Sequence, residues 1–114
     1  MSKLNVHVGG ARDMGRRFAA AFNRAAAGEN LEERHVTFLS FEEMTAALSP
    51  RRLELLRHLH REGADSIQAL ATALGRDYKR VHGDVAVLEA AGLVLREEGR
   101  LTAPWDTLAT EVTL

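Results

Sequence analysis

Between Ser49 and Leu101 the apolar positions recur first at helical spacing and then at strand spacing. Leu53, Leu55, Leu56 and Leu59 form a broad apolar stripe on one helix. Ser49 supplies a capping side chain for it. Pro50 follows at the first helical position, where a missing N–H costs nothing. Gly63 ends this helix, and Ala64-Asp65 lead to a second. There Ile67, Leu70, Ala71 and Leu74 fall at i, i+3, i+4 and i+7, with Ser66 as cap and Gly75 where a left-handed residue is needed. Asp77 is placed to cap a third helix whose inward positions are Val81, Val85 and Leu88. Gly92 stops it, Leu93-Val94-Leu95 begins a strand, and Glu97-Glu98-Gly99-Arg100 makes a polar turn.

Three short helices followed by a hairpin predict a winged helix-turn-helix over residues 48–106, in a helix-rich α+β fold. That arrangement presents its third helix to the major groove of DNA. Ahead of it, Leu4, Val6 and Val8 alternate with Asn5 and His7 as in a half-buried strand. Gly9-Gly10 break that strand. Ala11 to Ala27 read as a helix with Met14, Phe18, Ala21, Phe22 and Ala25 on one face and Arg12, Arg16 and Asn23 opposite, ended by Gly28-Glu29-Asn30. His35 to Leu39 read as a second strand, and Phe41 to Leu48 as a short helix. Residues 1–47 are thus a β-α-β-α extension, too small to stand alone and suited to dimerisation or partner binding. In residues 107–114, Leu108, Thr110, Val112 and Leu114 alternate. Leu108 and Val112 would also fit one helical turn, but a strand joining the N-terminal pair is the favoured reading. An N-terminal sheet edge with no obvious blocking charge also invites pairing with a second chain.

Composition narrows the function classes. With 46% apolar and 27% charged residues the chain is of ordinary globular type, and without cysteine it has no thiolate metal site and no cysteine nucleophile. No apolar run approaches the roughly 20 residues of a membrane span, and Met1 to Asp13 lack the apolar core of a signal peptide. A cytoplasmic protein, with no membrane partner, is the expectation. The net charge of −1 argues against strong nonspecific polyanion binding. A local basic patch still dominates within a Debye length of about 8 Å.

The third helix carries such a patch. With Val81, Val85 and Leu88 inward, Lys79, Gly83, Ala86 and Ala90 point most directly outward at about 100° per residue. His82 lies on one flank, Arg80 on the other, and Tyr78 reaches past the helix start. Lys79, His82, Tyr78 and Arg76 can donate to phosphates and bases, and small residues let the helix come close. A helical glycine costs roughly 1 kcal/mol relative to alanine, so Gly83 points to close approach. Arg96 and Arg100 flank the hairpin turn and are candidates for phosphate contacts or the minor groove, although Glu97 and Glu98 between them oppose this. Arg52 falls toward the buried side of its helix, where an arginine needs a partner. Asp84, near the inward face of the third helix, is the expected one. Arg51, Arg57 and Arg61 face solvent, where solvation is the usual fate, although one of them could touch phosphate. Among the histidines, His58 and His60 are two apart and cannot face one metal, and no pair has the i, i+4 spacing of a zinc helix. No metal, cofactor or catalytic constellation emerges, and an enzyme is not expected.

Taken together, residues 35 to 107 resemble a family of small prokaryotic winged helix-turn-helix regulators, MarR-like and ArsR-like in broad form, that includes TumA-type antitoxins. The stretches PRRLELL and GRDYKRVHGDV carry most of the likeness. The resemblance implies a dimeric repressor binding double-stranded operator DNA through Arg76, Tyr78, Lys79, Arg80 and His82. For an antitoxin of a type II pair it also implies a toxin protein as partner and repression of its own operon. The alternative is a winged-helix module that binds a partner protein without reading DNA.

Overall fold

A computed structural model describes residues 2–26 and 34–114. In chain order it contains β1 (Lys3–Val8), α1 (Ala11–Ala26), β2 (Arg34–Phe38), α2 (Phe41–Ala47), α3 (Pro50–Glu62), α4 (Ile67–Leu74), α5 (Tyr78–Ala90), β3 (Leu95–Glu97), β4 (Arg100–Thr102) and β5 (Thr107–Val112). The fold is helix-rich α+β. The expected end of the first helix at Gly28-Glu29-Asn30 lies outside the described residues.

The helix boundaries follow from local chemistry. Ser40, Ser49, Ser66 and Asp77 each accept a backbone N–H three residues on, from Glu43, Arg52, Ala69 and Arg80. Each cap satisfies a donor that the first helical turn cannot. Gly75 closes α4 in the left-handed region at φ 64°, its N–H bonded toward Thr72 while the Arg76 N–H returns to the Ala71 carbonyl. Glu98 at φ 54° and Gly99 at φ 79° form the two-residue turn between β3 and β4, the handedness that matches strand twist. The strand starts later than expected, at Leu95. Leu93 and Val94 are buried, and their N–H groups bond back to the Leu88 carbonyl. They serve the core rather than the ladder.

One continuous hydrophobic cluster runs from Leu4, Val6 and Val8 of β1 through Leu55 and Leu59 of α3, Leu70 of α4, and Val81, Val85 and Leu88 of α5, to Leu101 and Trp105. The Trp105 indole N–H donates to the Leu93 carbonyl at 2.9 Å, fixing the ring in place. Ala64, between α3 and α4, exchanges two backbone hydrogen bonds with Leu101 of β4 and anchors the hairpin to the helices.

The C-terminal segment is a strand, as expected, and it joins the N-terminal pair. The sheet order is β2-β1-β5, all parallel, with Val6 between Val36 and Thr110 in register. One face, carrying Leu4, Val6, Val8, Val36, Phe38 and Leu108, meets the core. The other carries His7, His35 and Glu111. His7 is only 6% exposed, so β1 is covered on both sides instead of half-buried. Its Nε2 lies 2.7 Å from His35 Nδ1 and its Nδ1 lies 3.4 Å from the Glu111 carboxylate. The tautomer with the proton on Nδ1 faces Glu111 and leaves Nε2 to accept from His35. On α1 the stripe with the spacing of a core face is turned outward, with Met14 47% and Phe18 74% exposed. The side chains of Ala21, Phe22 and Ala25 lie outside those described. Instead, Arg17 of α1 reaches the sheet, donating to Thr37 Oγ1 at 2.7 Å.

Arg52 has the partner its position demands. Its Nε donates to Asp84 Oδ1 at 3.1 Å and its Nη1 to the Ala46 carbonyl at 2.6 Å, so one guanidinium joins α2, α3 and α5. Arg76 takes the other carboxylate oxygen, Nη2 to Oδ2 at 2.6 Å. Truncating the shared acceptor strands two largely buried guanidinium groups. Asp84→Ala is expected to lower the unfolding free energy by about 2–3 kcal/mol, read as a reduced urea midpoint with an unchanged slope. A loss of under about 0.5 kcal/mol would show the triad to be incidental.

Burial pushes the His7 imidazole below its ordinary value, helped by the Arg17 guanidinium and the His35 ring and opposed more weakly by Glu111. The unfolded chain therefore binds the proton more readily. The stability from a neutral His7 is intact above about pH 6.5 and is lost as pH falls from there through the depressed native value. Urea midpoints across pH 7.5 to 5 are expected to fall more steeply for the wild type than for His7→Asn; parallel curves would refute the assignment.

Candidate nucleic-acid interface

Helix α5 is held by its apolar side and leaves the opposite side open. Val81, Val85 and Leu88 are buried, whereas Tyr78, Lys79, Arg80, His82, Gly83, Ala86 and Val87 are exposed along one strip. The Tyr78 and His82 rings lie one turn apart, centroids 6.0 Å and tilted at 47°. This pairing sets two polar-tipped aromatic rings beside Lys79. Around Gly83 an added Cβ would meet nothing within 4 Å. The fold therefore places no demand for glycine there, and the open backbone is available to a ligand surface.

Three of the residues expected at the interface are spent within the protein. Arg76, an expected donor to DNA, is turned inward to Asp84 by the reversal of direction after left-handed Gly75. It is 14% exposed there, and its Nε and Nη1 have no hydrogen-bond partner among the described residues. Arg100 donates to the Glu62 carbonyl and lies 3.4 Å from Asp65, with its guanidinium packed over Gly63. It staples the hairpin to the end of α3. Gly63, at φ 65°, leaves the room that this requires: an added Cβ would stand 2.9 Å from the arginine nitrogens. Arg96 pairs with Glu89 of α5 at 2.7 Å, about half exposed. The turn itself presents Glu97, Glu98 and Gly99 to solvent, an acidic tip unsuited to phosphate.

Arg51, one of the three solvent-facing arginines from which a phosphate contact could come, stands beside this strip. It lines a shallow recess of about 500 Å³ with Arg80 and the turn Gly75–Asp77, beside the start of α5. Beneath it, a single Asp84 carboxylate faces two guanidinium groups. With Asp77 the one carboxylate lining the recess, Arg51, Arg76 and Arg80 leave it an excess of positive charge. The signal lies in the expected Arg52–Asp84 contact, which brings the start of α3 to the base of α5. Arg51, one residue earlier, comes with it.

Among the described residues no group of histidine and carboxylate side chains could hold a metal ion, and no helix is long and apolar enough to cross a membrane. The three helices and the hairpin that carry this strip form the region by which the chain is classified. Residues 47–110, more than half of the sequence, match the family model HVO_A0114. The chain belongs to the HVO_A0114 family. Comparison with curated proteins and with solved structures found no match.

Because Gly83 is helical and unobstructed, Gly83→Ala is expected to stabilise the protein by roughly 0.5–1 kcal/mol. Thermal unfolding of the free protein checks it. Destabilisation would mean that something packs against this position in solution.

Proposed function

We propose that the protein is a DNA-binding transcriptional regulator of winged helix-turn-helix type, with α5 as the recognition helix and β3–β4 as the wing. The observation that carries the reading is the exposed strip Tyr78, Lys79, Arg80, His82 and Gly83, basic at its N-terminal end and lacking bulk at its centre. Lys79, Tyr78 and His82 face base edges and phosphates, and Gly83 with Ala86 lets the helix seat deeply. Arg51 and Arg80 hold a phosphate beside the helix start. The wing contributes shape more than charge, because Arg96 and Arg100 are engaged elsewhere. So small a reading surface points to a homodimer on two half-sites about one helical turn apart. The resemblance to TumA-type antitoxins supports a further role: repression of its own operon together with a toxin protein.

A second reading rests on its own observation. The exposed Met14 and Phe18 of α1 suit a protein-interaction module. The two readings combine in an antitoxin, where one surface binds DNA and the other a protein.

Selection of duplexes from a random pool, followed by titration at increasing salt, tests DNA recognition. Lys79→Glu with Arg80→Glu is expected to weaken binding at least about tenfold and to reduce the salt slope by about one for each phosphate no longer neutralised. Wild-type protein that enriches no sequence, or a double variant that binds unchanged, would remove the reading.

A further inference from the structure

A concavity away from α5 lies between α3 and the segment that leads into β5, with a volume of about 450 Å³. That is within the range of small-molecule sites. Its wall is apolar: Leu53 and Leu56 from α3, Leu108 from β5 and the anchored ring of Trp105. At its rim stand Arg57 and Arg61, one helical turn apart on the same face of α3. Neither has a hydrogen-bond or ion-pair partner among the described residues.

Asp106 also borders the cleft but forms no ion pair with either arginine. Its Oδ2 accepts from the Ser2 N–H at 2.8 Å and its Oδ1 lies 3.3 Å from His60 Nε2. The His60 ring is held on its other side by the Ala103 carbonyl, 3.0 Å from Nδ1, so a neutral ring donates to only one of these two acceptors. The one acidic group among the described lining residues is thus turned toward Ser2 and His60. Two uncommitted guanidinium groups remain beside an apolar, aromatic-walled hollow. We infer that this cleft binds a small amphipathic organic acid, its carboxylate held between Arg57 and Arg61 and its hydrocarbon part against Trp105 and the leucines.

Charge and shape together select that class. Guanidinium forks match a carboxylate bidentately. A purely inorganic anion would leave the apolar wall uncovered, and a neutral lipid would leave the arginines unmatched. Neither the cleft nor its occupant depends on DNA binding, since Arg57 and Arg61 lie outside the α5 strip.

Trp105 is the only tryptophan in the sequence, so its emission reports the cleft alone. Octanoate titrated into the intact protein is expected to change that emission saturably, and octan-1-ol to do so far more weakly. Arg57→Gln with Arg61→Gln, both exposed positions, should retain the wild-type circular dichroism and bind octanoate about tenfold more weakly. No saturable change with octanoate, an equal response to the alcohol, or undiminished binding by the folded double variant would each overturn the assignment.

Discussion

The position of α5 depends on one carboxylate. Asp84 accepts from Arg52 of α3 through one oxygen and from Arg76 of the preceding turn through the other. Hydrophobic burial of Val81, Val85 and Leu88 decides which side of α5 faces inward, but apolar packing is non-directional. Two charge-assisted hydrogen bonds in a largely buried site add direction. They fix the rotation of α5 about its axis and the path of the turn before it. Arg52 extends the same link to the end of α2 through the Ala46 carbonyl. A rigid, outward strip on α5 follows from that arrangement, and so does the placing of Arg51 next to Arg80.

Much of this is legible in the sequence, because the determinants are local. Serine and aspartate caps, glycine stops and apolar spacing locate α3, α4 and α5. A buried-side arginine and a nearby inward aspartate identify the Arg52–Asp84 pair across two helices. What escapes are directions set by turns and by distant partners. Arg76 follows a left-handed glycine, and the sign of that turn, not any helical period, sends its side chain inward. Arg100 finds its carbonyl and carboxylate partners at the far end of α3, a neighbourhood that only the Ala64–Leu101 bridge creates. The apolar stripe of α1 has the spacing of a core face, yet Phe18 is exposed. The sheet face opposite the core carries His7, His35 and Glu111, so there is little apolar surface for that stripe to meet.

The two ends of the molecule thus differ in kind. The helical unit and hairpin are joined by buried leucines and by arginines that pair with Asp84, Glu89 and Asp65. The sheet's outer face is polar, held by a histidine pair and a long reach from Arg17. Between them, the segment from Ala103 to Asp106 belongs to both. Trp105 enters the core while Asp106 binds the backbone of Ser2. Any molecule seated against this connection touches both halves.

Strand pairing also imposes an order on how the molecule is made. β1 sits at the centre of its sheet, but one of its neighbours is β5, and Ser2 and Asp106 are 104 positions apart. The helices between them close through nearby partners and can form as soon as they leave the ribosome. β1 cannot. Until β5 emerges, one side of β1 has unsatisfied N–H and C=O groups next to Leu4, Val6 and Val8. During synthesis a strand translated before every one of these helices is therefore fully paired only after them.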